Sequence, residues 1–364
     1  MSEEWKRKLQ QYYDGDLSEA EAEDVELFLE KYDGYQEVIV EKLEQEEKNE
    51  AVDLPPEKVS KILKNSIRNA RFSSVAYVIM IILLIYPSLT MASYIYYGWN
   101  DKAEDLIHVA INTVYITEPN VSLEEMQIEE TIGLFTLQVN MDLYKRVGKN
   151  DIKLGEWDVI YHMNDAEFPN RNYISENAPR EIPNVDTKIL YHPNAEITNR
   201  DHSAWNTLES LPEGTVVEVY VSLTELTEPK NMRDIKKDLD AEWRWYAVDT
   251  GLEASGTGLE GGYIPPIGYP AKDDPDAWSP YNTSKANEEQ FMENLRFLQK
   301  YEQQAVDISR ANWLDLDHRI KYIEKNGLHI YGGVITGPTK EILKLKDNES
   351  IRTIHVGEVR LWNW

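Results

Sequence analysis

The chain has 364 residues, a net charge of −27 and no cysteine. The missing cysteines exclude disulfides and thiolate zinc sites. Both parts are acidic, −8 over residues 1–71 and −19 over the remainder, which argues against direct nucleic-acid binding and leaves room for a partner protein that itself binds nucleic acid.

At the N-terminus, Trp5, Leu9, Tyr12 and Tyr13 fall at helical spacing over Glu4–Tyr13. Asp14-Gly15-Asp16 is a turn signal. Ser18-Glu19-Ala20-Glu21 reads as a capping box, in which the Ser18 hydroxyl accepts from the Glu21 backbone and the Glu21 carboxylate reaches back. A second helix is expected to run to about Tyr32 with Val25, Phe28, Leu29 and Tyr32 on one face, and Gly34 is its natural stop. A third helix is expected over Tyr35–Lys48 through Val38, Ile39 and Leu43. Residues 49–54 read as a linker, and Pro55-Pro56 would open a fourth helix, with Val59, Ile62, Leu63 and Ile67 in one stripe. That stripe has two readings: it continues a membrane helix, or it grips a partner protein.

Phe72–Trp99 holds 28 residues and no charge. A helix needs roughly 20 apolar residues to cross the hydrocarbon core, so this stretch reads as a transmembrane helix that carries Pro87 with a local kink. Lys58, Lys61, Lys64, Arg68 and Arg71 precede it, and Asp101, Glu104 and Asp105 are among the first charges after it. Basic flanks stay in the cytoplasm, so the N-terminus is expected inside and the C-terminus outside. Tyr94, Tyr96, Tyr97 and Trp99 would form an aromatic belt at the outer interface. Residues 1–24 lack the apolar run of a cleavable signal, so the span is expected to act as an uncleaved anchor.

Beyond the span, strands are expected over Leu106–Thr117, Thr131–Val147, Ile152–His162, Gly214–Leu226 and Glu242–Asp249. Glu167–Lys188 and Gly251–Ser284 read as loops, the second long enough to suggest a function. Amphipathic helices are expected over Ala286–Asp307 and Asn312–Asn326, the latter ended by Gly327. The tail reads as strand, short helix, strand: Leu328–Thr336, a helix opened by Gly337-Pro338-Thr339, and Ile351–Trp364. The fold class that follows is a short all-α domain over 1–54, a juxtamembrane helix over 55–71, one transmembrane helix over 72–99, and an α+β domain over 100–364.

Catalytic signatures are missing. The seven histidines lack the i, i+4 pairing of a helical metal site, and no nucleophile elbow is present. Asp315-Leu316-Asp317-His318 reads as a solvated helix face, Gly256-Thr257-Gly258 lacks the context of a phosphate cradle, and Gly337-Pro338-Thr339-Lys340 reads as an ordinary helix start. No enzyme activity, metal or cofactor is expected.

Two stretches carry a family resemblance. DGDLSEAEAEDVELFLEKYDGY resembles the start of the anti-sigma domain of bacterial anti-sigma factors, whose zinc set H-x3-C-x2-C is here Phe28-x3-Tyr32-x2-Tyr35. Three rings at the former ligand positions would replace the metal clip by packing together, without zinc. The tail IYGGVITGPTKEILKLKDNESIRTIHVGEVRLWNW, over a family-like region of about 200–364, resembles the C-terminal domain of the sigma-factor-regulator family of Gram-positive bacteria. The resemblance implies an extracytoplasmic-function (ECF) sigma factor, sigma-M-like, sequestered at the membrane and released by envelope stress. It also implies a small membrane partner beside the lipid. The sigma-binding candidates are then Val25, Phe28, Leu29, Val59, Ile62, Leu63 and Ile67. The competing reading is a ligand-binding or envelope-assembly protein whose N-terminal segment is only a tether.

Overall fold

The structure, a computed structural model, describes residues 3–14, 18–49, 56–174, 190–195, 203–255, 263–272 and 279–361. The chain divides into two compact units, Met1–Leu83 and Leu84–Trp364.

In the first unit, α1 spans Glu3–Asp14 and α2 spans Glu19–Asn49. The turn expected at 14–16 and the linker expected at 49–54 lie almost wholly outside the described residues. The capping box forms by half: the Glu21 carboxylate accepts from the Ser18 N–H at 3.3 Å, but the Ser18 hydroxyl turns to that same carboxylate rather than to the backbone. Gly34 does not stop the helix, and the two helices expected on either side of it are one. A glycine ends a helix by adopting the left-handed conformation; Gly34 is not among the residues with positive φ. It stays helical, where glycine costs about 1 kcal/mol relative to alanine. Among the described residues, nothing beyond its own turn of helix lies within 4 Å of the place where its Cβ would stand. Gly34→Ala is therefore expected to stabilise α2 by about 1 kcal/mol, read as a higher thermal midpoint of the helical circular-dichroism signal. An unchanged or lower midpoint would mean that the helix bends there in solution.

The long helix α3 spans Pro56–Gly98, so the juxtamembrane and membrane helices are continuous and run through Pro87. Among the described residues, one helical stretch is long and apolar enough to cross a membrane. Two of its hydroxyls are satisfied within the helix: Ser74 and Thr90 each donate at 2.9 Å to a carbonyl one turn back. A 3-10 turn over Trp99–Asp101, with Asn100 and Asp101 in left-handed conformations, redirects the chain after Gly98.

In the second unit, the end of α3 is built into the domain. Ser93 and Tyr97 are fully buried. The Ser93 hydroxyl donates to Leu89 O at 2.9 Å and accepts from Phe135 N–H at 2.8 Å. The Tyr97 hydroxyl lies 3.0 Å from Phe135 O and 3.3 Å from Tyr161 O. Tyr97 is thus a core residue rather than a member of the aromatic belt, whereas Tyr94 and Trp99 stay exposed.

The next element, Lys102–Thr117, is a helix, α4, where a strand was expected. Eight consecutive residues, Val109–Ile116, are buried. A helix enclosed on every side shows no polar stripe, so its Ile/Val-rich run imitates strand alternation. It lies between two antiparallel sheets: Leu106 O accepts from Tyr161 Oη at 2.7 Å, and Tyr115 O accepts from Trp245 Nε1 at 3.1 Å.

The first sheet has the order β1-β2-β3-β4, with β5 also on β3. Its strands are β1 Val121–Ile132, β2 Thr136–Val147, β3 Asn150–His162, β4 Asp165–Ala166 and β5 Asn170–Tyr173. Most of β1, and β5 inside an expected loop, were not foreseen. Helix α5, Ser203–Ser210, precedes the second sheet, ordered β10-β6-β9-β7-β8. Its members are β6 Thr215–Thr227, β7 Glu242–Val248, β8 Gly268–Pro270, β9 Ile330–Pro338 and β10 Ile351–Leu361. A short helix α6, Met232–Ile235, sits between β6 and β7. The expected 286–307 helix is two, α7 Asn287–Gln299 and α8 Glu302–Ser309, broken where Tyr301 leaves helical geometry and its hydroxyl reaches Asp105 at 2.6 Å. Helix α9, Leu316–Asn326, is capped by Asp315 and ends at Gly327, whose φ is +85°. The five-residue α10, Thr339–Leu343, follows β9 directly. The Gly256-Thr257-Gly258 stretch lies outside the described residues.

Gly332 and Gly333 explain part of the tail motif. A Cβ on Gly332 would stand 2.6 Å from Val221 O, and one on Gly333 would stand 2.5 Å from Trp245 O. Strand β9 is pressed between β6 and β7 at a spacing that no side chain there permits.

Candidate functional site

The sequence candidates in α2 lie along one helix. Val25 is fully buried, while Phe28 and Leu29 are half-buried. Helix α1 packs against α2, and Tyr12 Oη donates to Glu26 at 2.8 Å beside Val25. Val25 therefore belongs to the contact between these two helices. The rings at the former ligand positions do not form a three-ring cluster. Phe28 and Tyr32 stack at 6.4 Å, but Tyr35 is 73% exposed one turn on. An uninterrupted α2 carries Tyr35 past the stacked pair instead of turning it back.

That continuity also yields a surface that sequence reasoning missed. Tyr32, Tyr35, Val38 and Ile39 recur at i, i+3, i+6 and i+7, and all four are exposed. The signal was present, but assigning the four residues to two helices hid their alignment.

In α3, Leu63 is 55% exposed and Ile67 is 48% exposed. The side chains of Val59 and Ile62 lie outside the described residues. The part of the stripe that is described therefore has an open apolar face. Lys58, Lys61, Lys64, Arg68 and Arg71 are exposed on the same stretch of helix.

The second unit carries a buried ion pair between its two sheets. Glu218, on β6, is fully buried and accepts from Lys145 Nζ on β2 at 2.8 Å. It also accepts from Asn120 Nδ2 at 2.7 Å and from the Glu358 N–H on β10 at 3.1 Å. Burial alone would push this carboxyl up, but the Lys145 charge and the three donors hold it below the usual range. Nearby, Gly148 N–H donates to Thr336 Oγ1 at 2.7 Å. These contacts fasten the end of β2 and the β2–β3 turn to β6 and β9 of the second sheet.

The family model described as Sigma factor regulator N-terminal matches residues 60–152, and the one described as Sigma factor regulator C-terminal matches residues 208–358. A curated relative, "Probable anti-sigma-M factor YhdL" of Bacillus subtilis (strain 168), is 33% identical over 367 residues and covers all of both chains.

The chain belongs to the sigma factor regulator family.

No solved structure matches it. The family's two matched segments meet at the buried pair, since Lys145 lies in the first and Glu218 in the second. Helices α1 and α2 precede both segments and are covered by the full-length relative. Among the described residues no cluster of histidine or acidic side chains is placed to hold a metal. Asp315 serves as a helix cap, and Thr339, at the start of α10, is buried and bonds Thr215 across the sheet.

Proposed function

We propose that this chain is a membrane-anchored anti-sigma factor that binds an ECF sigma factor, sigma-M-like, and withholds it from polymerase. The observation that carries the reading is full-length similarity to a probable anti-sigma-M factor, with neither chain left uncovered. In this reading residues 1–54 and 55–71 lie in the cytoplasm, residues 72–99 cross the membrane, and residues 100–364 lie outside. The basic flank before the span supports that orientation. The sigma factor meets the open apolar residues of α2 and the start of α3, and the acidity of the N-terminal segment suits a partner with DNA-facing basic surfaces. Sequestration requires no covalent chemistry. Envelope stress, acting on the outer domain with the help of a small membrane partner, releases the sigma factor.

The test is affinity capture of the full-length chain from membranes of cells that co-express a sigma-M-type factor. The sigma factor is expected to be retained, and a promoter it reads is expected to fall silent when the chain is present. Failure to retain it, or an unchanged promoter, would leave the N-terminal helices as a tether only.

A further inference from the structure

The C-terminal domain holds a cavity of about 560 Å³ where the two family segments meet. Its wall takes Lys149 from the β2–β3 turn, Arg233 and Lys236 from α6 and the residue after it, and Lys272 just after β8. Trp243 and Tyr246 of β7 contribute rings that are almost fully buried. Four cations therefore converge on one hollow in a chain whose net charge is −27.

The opposing acids leave much of that charge uncompensated. Glu242 is held by Arg244 at 2.8 Å and stands 3.8 Å from Lys272. Asp240 is exposed, and its backbone N–H donates to Glu341. Lys236 donates to Ala241 O at 2.7 Å, a carbonyl that leaves its charge in place. Among the described residues Lys149 and Arg233 make no hydrogen bond or ion pair. Lys149, Arg233 and Lys272 are exposed, and like charges gathered around a concave, partly apolar wall favour the entry of an anion.

We propose that this cavity binds a small dissolved ligand that carries at least two negative charges of the phosphate class and an apolar or ring portion. Lys149 and Arg233 grip the charge, and the aromatic wall takes the rest. Volume and chemistry fit a small-molecule site. A bilayer headgroup is the other source of phosphate, and the lipid composition in the test below separates the two. Strand β2 starts beside Phe135, which is bonded to the end of α3, and runs for 12 residues to the turn that holds Lys149. At ~3.3 Å per residue the cavity stands about 36 Å along the strand from the helix exit. A ligand that bridges the turn and α6 would tie the family's N-terminal segment to its C-terminal one. The inference concerns the C-terminal domain alone and does not depend on sigma binding.

The test is calorimetric titration of inorganic pyrophosphate into the full-length chain held in neutral-lipid nanodiscs. Saturable binding that weakens with added salt is expected. Lys149→Gln and Arg233→Gln are each expected to lower affinity roughly tenfold, as loss of a charge-assisted hydrogen bond does. Lys325→Gln, on the far end of α9, is expected to leave it unchanged. Absence of saturable binding, or an equal loss in all three variants, would overturn the proposal. So would binding that appears only when phosphatidylglycerol is present in the disc, since the bilayer would then be the ligand.

Discussion

Lys145→Met is expected to destabilise the C-terminal domain by about 3–5 kcal/mol, the cost of stranding one member of a buried ion pair. The methionine keeps most of the apolar stem, so the loss reports the charge rather than the volume. Glu218 would keep its bonds from Asn120 and the Glu358 N–H but lose the only cation in contact with it among the described residues. The pH dependence gives the sign. In the parent protein the folded carboxyl lies below its usual value; its contribution is present above about pH 4.3, the ordinary glutamate value, and fades as pH falls through the folded pKa. In the variant, burial dominates and the folded pKa rises above that value. The penalty is then absent in acid and grows as pH rises through the window between the two. The gap between parent and variant in denaturant unfolding should therefore be widest at neutral pH and narrow towards pH 4. A gap of constant size would show that packing of the lysine stem, and not its charge, is what β6 requires.

Leu63→Ala is expected to weaken sigma binding about 30-fold, as truncation of one central hydrophobic anchor costs about 2 kcal/mol or more. Leu63 is 55% exposed in the chain by itself, so the same change should leave the helical signal of the N-terminal segment untouched. This separation of binding from folding is what distinguishes a gripping stripe from a core. A fragment of residues 1–71 should accordingly bind far more tightly than one of residues 1–54. Equal binding by the two fragments in calorimetry would make the start of α3 a stalk and shift the contact wholly onto α2.

Much of this molecule could be read from local pattern. The uncharged run from Phe72 sits in a helix suited to a membrane, Pro56 opens that helix, and the β2–β3 hairpin turns in the gap between the strands expected over 131–147 and 152–162. Strand β6 and the strand–helix–strand tail lie within a few residues of their expected limits. The failures share a cause. Helix α4 shows no helical signature because its buried run is covered on every face, and Gly34 has the residue type of a helix stop but keeps helical geometry. Tyr301 breaks a helix for a bond to Asp105, nearly two hundred positions earlier. Arg319 is fully buried, bonded to Glu253, Thr250 and the carbonyl of Leu314, in a pattern that no sequence window contains. Local pattern reports propensity; these features depend on what arrives from elsewhere in the chain. The same holds for the functional candidates. The apolar stripe around Leu63 is a periodicity and is legible, whereas the cations around the cavity come from three separate segments.

Ser93 and Tyr97 carry one further consequence. They belong to the last turns of an apolar membrane helix, yet their hydroxyls complete the hydrogen bonding of Phe135 and Tyr161. Cleavage just after Gly98 would tear two core side chains out of the released C-terminal domain. It would leave the Phe135 amide without a partner and open a hole beneath the first sheet. A C-terminal fragment made for crystallisation should therefore begin near Leu84 and carry its hydrophobic stub in detergent.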